Sequence, residues 1–196
     1  MPIVEIRHPS EIVPYVEGIR KAAELAKDSL TAASARLSPL DLLAYLKFSN
    51  AGYHPFRSRP LNLVEQVNQT FTALAAFRAV EILFDLRPDS PGFRLHLCTM
   101  KGRDIESLRV GDVEAEVFAA ITPGHNSKLR RELERLETSS AVSRYVFFDC
   151  PEYIVGRQSH LEQSDKIEVW AVSGMDVCGG ILRSSGTQDQ PEGNQL

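Results

Sequence analysis

The chain is short of cysteine, of long apolar runs and of positive charge, and each shortage excludes a class of protein. Its three cysteines are odd in number and widely spaced, which argues against a disulfide framework and against a CxxC zinc site. The chain has no run of about 18 apolar residues, so no membrane-spanning helix is predicted. The first residues, Met1-Pro2-Ile3-Val4-Glu5, lack the charged and apolar regions of a signal peptide. We therefore expect a soluble, cytoplasmic protein without a membrane partner.

The charge balance is acidic, with a formal net charge of -4 at pH 7 and an isoelectric point near 5.8. Binding to nucleic acid without sequence preference depends on Lys and Arg neutralising phosphates, so the charge of the whole chain does not favour such a partner. The chain also lacks GxSxG, GxxxxGK[ST], GxGxxG and HExxH motifs. These absences exclude several common hydrolase, nucleotide-binding and zinc-protease signatures.

What the chain does contain is enough apolar sequence for one substantial core, since 43% of its 196 residues are hydrophobic. We predict three parts. An N-terminal helical extension covers residues 1–60, an α/β core covers 61–183, and a polar tail that contains Gln, Gly, Pro and Asp covers 184–196 and is expected to be disordered.

The extension is predicted to hold two helices. Ser10 looks like the cap of the first, which carries a narrow apolar stripe through Val16 and Ile19 to Leu30, and Ser38-Pro39 signals the start of the second. This stripe can pack on the core or pair with a second copy of the chain in a homodimer.

The core alternates helical and strand patterns. The predicted elements are a helix from Leu63 to about Phe84, a strand at 93–100, strands at 104–108 and 112–121, a charged helix marked by Leu129, Leu133 and Leu136, and strands at 144–150 and 166–172. A three-strand meander followed by a crossover helix and another strand implies a mixed sheet with helices on both faces.

Carboxylates are concentrated on the second and third strands of this meander. Because strand side chains alternate, Glu114 and Glu116 share one face, and a strand this apolar is expected to be at least partly covered. Two like charges about 4 Å apart cost about 4 kcal/mol near a protein surface unless a cation or a proton intervenes. The pattern predicts a divalent-cation site that includes Asp104, although carboxylates on an uncovered sheet face would give the same pattern.

This element order and carboxylate placement, over roughly residues 62–150, resemble the PD-(D/E)XK nuclease superfamily. The resemblance implies a restriction-endonuclease-like αβββαβ core. It also implies that Asp104, Glu114 and Glu116 bind Mg²⁺ or Mn²⁺, with Glu116 standing where most members have Lys. Alternatively Glu116 acts as general base, and Glu106, on the same face as Asp104, could replace Asp104. The chain differs from the family pattern in having Arg103 rather than Pro before Asp104.

Two further residues are implied by the same resemblance. Lys128, on the helix after the third strand, would replace the absent catalytic Lys, and the alternative is a surface lysine without a role. Glu65 would be the helical acidic ligand of some family members, although Asn62 and Glu65 also have the spacing of a helix capping box.

The expected function is therefore metal-dependent hydrolysis of DNA phosphodiester bonds. The alternative is a nuclease fold that has lost catalysis and serves as a binding or assembly module.

Overall fold

The structure is a computed structural model that describes residues 3–57, 59–97, 104–124 and 127–179. The predicted tail at 184–196 lies outside these ranges. The helices are α1 (Val13–Ser34), α2 (Pro39–Phe48), α3 (Leu63–Leu86) and α4 (Lys128–Glu137). The strands are β1 (Ile3–Ile6), β2 (Gly52–Tyr53), β3 (Pro60–Leu61), β4 (Phe93–His96), β5 (Ile105–Ser107), β6 (Val113–Ala119), β7 (Ser143–Asp149), β8 (Gly156–Arg157) and β9 (Ile167–Val172).

Within the described ranges, seven strands form one mixed sheet in the order β1-β4-β5-β6-β7-β9-β8. Strands β4, β5 and β6 form an antiparallel meander, α4 crosses over, and β7 then pairs in parallel with β6. The predicted order of helix, three strands, helix and strand is confirmed, as is a mixed sheet flanked by helices. The crossover has the form expected for parallel neighbours, which cannot be joined by a tight turn.

Helix α3 covers one face of the sheet. Ala75 and Ala79 are completely buried, and such small side chains allow the helix to lie close to the strands. The predicted alternation of β6 is confirmed, because Val113, Ala115 and Val117 point into this core.

Helix α4 covers the central part of the other face. Its Leu133 and Leu136 belong to a second apolar cluster with Phe118 of β6 and Phe148 of β7. This packing buries the face of β6 that carries Glu114, Glu116 and Phe118, so β6 is buried on both sides.

The same face carries charged side chains on the outer strands. Arg94 of β4 lies between Glu5 of β1 and Glu106 of β5, with nitrogen–oxygen distances of 3.0 and 2.9 Å. Opposite charges on neighbouring strands stabilise such a surface by a few tenths of a kcal/mol, up to about 1 kcal/mol per pair. On this face the sheet is therefore polar from β1 to β5, next to the buried glutamates of β6.

The N-terminal helices differ in how they pack. Ser10 is not the cap of α1, since a 3₁₀ helix at Pro9–Ile12 precedes it and His8 accepts the Ser10 N–H. Val16 and Ile19 are only 1% and 2% exposed, so the first half of the predicted stripe packs on the core, whereas Leu30 at its end is 37% exposed. By contrast α2 buries no residue completely. None of the described helices is long and apolar enough to cross a membrane.

Candidate functional site

The predicted metal site centres on the carboxyl groups of Asp104 and Glu116. The strand register pairs Ile105 with Ala115, and one step further brings Asp104 opposite Glu116. Asp104 accepts a hydrogen bond of 2.8 Å from the backbone N–H of Val117. Asp104 is therefore held by the strand that carries its partner.

These two carboxyl groups interact with each other, and a hydrogen bond between them requires a proton because ionised carboxylates only accept. Burial, and then the negative charge of Asp104, raise the pKa of Glu116 to about 9. Burial also raises the pKa of Asp104. Glu116 Oε1 is buried, and no donor among the described residues reaches it. The pair thus favours the uptake of positive charge, as a proton or as a cation.

Three charged side chains of α4 complete the cluster. Lys128 Nζ lies 3.0 Å from Glu132 Oε1, and Arg135 Nη1 lies 3.0 Å from Glu132 Oε2 as an ion pair without hydrogen-bond geometry. Arg135 Nη1 also donates to Glu116 Oε2 at 2.9 Å. Together with Asp104 this makes three carboxylates and two cations, so that a single shared proton balances the charge of the cluster.

The spacing of α4 explains why these side chains meet. Residues 128, 132 and 135 follow one another by four and three positions, which places them on one helix face. Sequence reasoning missed Glu132 and Arg135, although this spacing from Lys128 is the signal that could have found them. Lys128 Nζ lies 5.8 Å from the ring centroid of Phe118, two positions after Glu116 on the same strand face.

Glu114 lies in a different environment from Glu116. Its register partner is Glu106, and its carboxylate accepts a hydrogen bond of 2.6 Å from Ser139 Oγ. The structure therefore brings Asp104 together with Glu116 and not with the predicted first carboxylate. The physical reason is that the strand period determines the face of both glutamates, whereas the register of β5 on β6 selects which of them is opposite Asp104.

Glu65 lies in the first turn of α3. The Asn62 side chain accepts the Glu65 N–H at 2.8 Å, which confirms the Asn62 half of the capping box. The Glu65 carboxylate accepts from Gln69 Nε2 at 2.9 Å and lies 4.0 Å from Arg59. Glu65 lines the same cavity as Asp104 but belongs to a separate group of polar contacts.

A cavity of about 1120 Å³ connects these features. It lies at the carboxyl ends of β6 and β7, where open α/β sheets commonly bind ligands. Asp104, Lys128 and Arg135 line one part, and the first half of α3 forms another wall.

Among the described residues, no group of three or more His, Cys, Asp or Glu side chains is arranged to hold a metal ion. The predicted set of Asp104, Glu114, Glu116 and Glu65 is thus not gathered into one ligand sphere. Two facing carboxyl groups, one with a buried oxygen that accepts no hydrogen bond from the described residues, still fit magnesium. This ion takes one or two carboxylates and fills its remaining positions with water and phosphate.

Comparison with known proteins found no family model, no curated protein and no solved structure that matches this chain.

Proposed function

We propose that this protein is a metal-dependent phosphodiesterase that hydrolyses nucleic acid, DNA being the expected substrate. The observation that carries the proposal is the Asp104–Glu116 carboxyl pair, in which Glu116 is completely buried and Asp104 lines a large cavity together with Lys128. Buried carboxyl groups with raised pKa values are typical of functional sites, because folding alone gains nothing from placing them there.

The connectivity of the core supports the nuclease assignment. Helix α3, strands β4 to β6, helix α4 and strand β7 follow the αβββαβ order of the PD-(D/E)XK superfamily, with β7 parallel to β6. Asp104 precedes the second of these strands and Glu116 lies on the third. This agreement in order and position supports a restriction-endonuclease-like core.

Asp104 and Glu116 are the proposed ligands of Mg²⁺ or Mn²⁺. The bound ion would lower the pKa of a coordinated water and stabilise charge on the phosphate oxygens. Lys128 lies above Phe118, which occupies the strand position of the lysine in the family's E-x-K motif when Glu116 is aligned with its glutamate. We assign Lys128 to contact the phosphate. Glu132 holds Lys128 and Arg135 in place.

One observation favours the rival, a nuclease-like module without catalysis. Arg135 already donates to Glu116, so a guanidinium neutralises part of the charge that a metal would use. The enzyme and the inactive module differ in divalent-ion binding, since only the enzyme requires a divalent ion at the carboxyl pair.

Titration of the protein with Mg²⁺ and Mn²⁺ by calorimetry tests the proposal. We expect binding with a measurable heat in the wild type. Glu116→Gln should remove it, because an amide cannot supply a negative oxygen to a hard cation. Glu114→Gln is the matched control: it makes the same change on the same buried strand face, and it should retain binding because Ser139 holds that carboxylate away from the pair.

Cleavage of single-stranded and double-stranded DNA is then measured with the same variants. We expect Glu116→Gln to reduce the rate at least 100-fold and Glu114→Gln to change it only a few-fold. Absence of metal binding at millimolar concentrations would refute the proposal of a metal-dependent enzyme. Metal binding without cleavage of either DNA would support the inactive module.

A further inference from the structure

The cavity has a second, apolar part that the proposed chemistry does not use. Val67 and Phe71 of α3, Ile121 after β6 and Val155 before β8 all line it. Each of these side chains is at least 40% exposed. We call these four residues the apolar rim. Single exposed apolar residues are normal on a protein surface, but four that line the same cavity are typical of a binding site.

Phe71 is the aromatic residue of the apolar rim. Val67 and Phe71 are four positions apart, which places them on the same face of α3. Phe71 is 40% exposed, whereas Phe77 further along the helix is completely buried in the core. Phe71 therefore offers an accessible aromatic surface at the side of a cavity whose other part carries charge.

The charged part would complement a phosphate once a divalent ion is bound at the carboxyl pair, because its own side chains supply three carboxylates and two cations. Lys128 and Arg135 line the cavity beside Asp104 and supply cationic groups next to the carboxyl pair. A ligand that spans both parts must therefore carry an anionic group and a flat apolar group a short distance apart. The cavity volume of about 1120 Å³ exceeds what a phosphate alone would fill.

We infer that the substrate is single-stranded nucleic acid, with its phosphate beside Asp104, Glu116 and Lys128 and an unpaired base against Phe71 and the apolar rim. This inference rests on the proposed function. A duplex keeps its base faces stacked inside and shows only base edges in its grooves, so it cannot cover an aromatic ring in this way. An unpaired base can, and stacking on an aromatic side chain contributes about 1–3 kcal/mol per base.

The acidic charge of the chain opposes any binding that depends on phosphate contacts alone. Binding to duplex DNA by many phosphate contacts requires an extended basic surface, whereas a net charge of -4 opposes it. Stacking on the apolar rim would supply affinity that does not depend on long-range attraction.

The test compares two DNA strands of about 12 nucleotides, a normal strand and one in which every position is abasic. Both have the same phosphates, and only the first has bases. Binding to the full chain is measured by fluorescence anisotropy in Ca²⁺, a hard cation with oxygen ligands, and a gel verifies that the strands stay intact. A duplex of the same length is the third probe. We expect the normal strand to bind more tightly than the abasic strand and the duplex.

Phe71→Ala should weaken binding of the normal strand about 5- to 150-fold, the equivalent of losing one stacked base, and leave the abasic strand unaffected. Phe71→Tyr should restore binding because it keeps the ring. Phe48→Ala is the matched control, since Phe48 is exposed on α2 outside the cavity and its loss should change nothing.

The outcomes separate the inference from the proposed function. Equal binding of normal and abasic strands, or no loss on Phe71→Ala, would overturn the inference even if Mg²⁺-dependent cleavage of duplex is observed. Base-dependent binding through Phe71 without cleavage in Mg²⁺ or Mn²⁺ would uphold single-stranded nucleic acid as the ligand of this cavity and refute the nuclease. A mass change on Phe71→Ala in light scattering, with unchanged DNA binding, would identify the apolar rim as a self-association surface and also overturn it.

Discussion

Glu114 and Glu116 are the same residue type on the same buried face of one strand, yet their partners give them different chemistry. The Glu114 carboxylate accepts from a serine hydroxyl, and Glu116 faces the carboxyl group of Asp104. Two facing carboxyl groups remain together only when a proton or a cation lies between them. The partner of each glutamate therefore decides whether it takes up positive charge.

This difference predicts a pH dependence of stability. Glu116 has a pKa raised from 4.5 to about 9 in the folded protein, so the native state binds more protons than the unfolded state between these values. Stability from this group is complete below about pH 4.5 and is lost as the pH rises towards about 9. Glu116→Gln removes the titration, so the variant should gain stability relative to wild type as the pH rises, by at most about 1.4 kcal/mol per pH unit.

Urea unfolding of both proteins at several pH values, without divalent ions, measures this difference. Parallel stability curves for wild type and variant across the range would contradict the protonated pair. Asp104→Asn provides a second check, because it removes the other member and should flatten the same difference.

Among the elements, α1 and α4 illustrate how far periodicity reaches. The spacing of Val16 and Ile19 predicted a buried stripe, and both side chains are in the core. The same reasoning on α4 identified its buried leucines but not its charged face, because a run of alternating charges also fits a solvated helix surface. The charged face of α4 differs from a solvated surface because it lies on β6, where Arg135 forms an ion pair with Glu116.

For α1, we expect Ile19→Ala to destabilise the protein by about 2–4 kcal/mol, since it removes a fully buried side chain and leaves a cavity. Leu25→Ala is the matched control on the same helix. Leu25 is 48% exposed, and its truncation should change the free energy of unfolding by about 0.5 kcal/mol or less. Urea unfolding measures both values. A dissociating oligomer with unchanged monomer stability would instead indicate that the stripe serves a second copy.

At the scale of the whole molecule, the N-terminal segment contributes to the central sheet. Strand β1 pairs with β4 over Ile3–Ile6, and Ile6 is completely buried. The predicted boundary at residue 60 thus separates β1 from β4, although these two strands pair in one sheet.

We expect a fragment of residues 61–183 to unfold without a cooperative transition, because it loses the β1 pairing and the buried side chains of α1. Urea unfolding monitored by near-ultraviolet circular dichroism tests this. Replacing α2 with a glycine–serine linker is the control, since α2 buries no residue completely, and this variant should keep the transition. A fragment with the wild-type midpoint would show that the core is autonomous.

The local pattern predicted much of the fold. The alternation of β6, the meander, the crossover helix and the mixed sheet all follow from periodicity and chain order. The start of α1 could not be obtained in this way, because the His8 side chain and a 3₁₀ turn take the place of a simple serine cap.

The sequence by itself determined which face of β6 carries Glu114, Glu116 and Phe118, because the strand period is two and admits no other arrangement. Only the tertiary structure decided that Glu116 is opposite Asp104, that Lys128 and Arg135 join them, and that Phe71 lines the same cavity. These facts depend on register and crossover geometry, which involve residues far apart in the chain. Periodicity within an element contains no information about either.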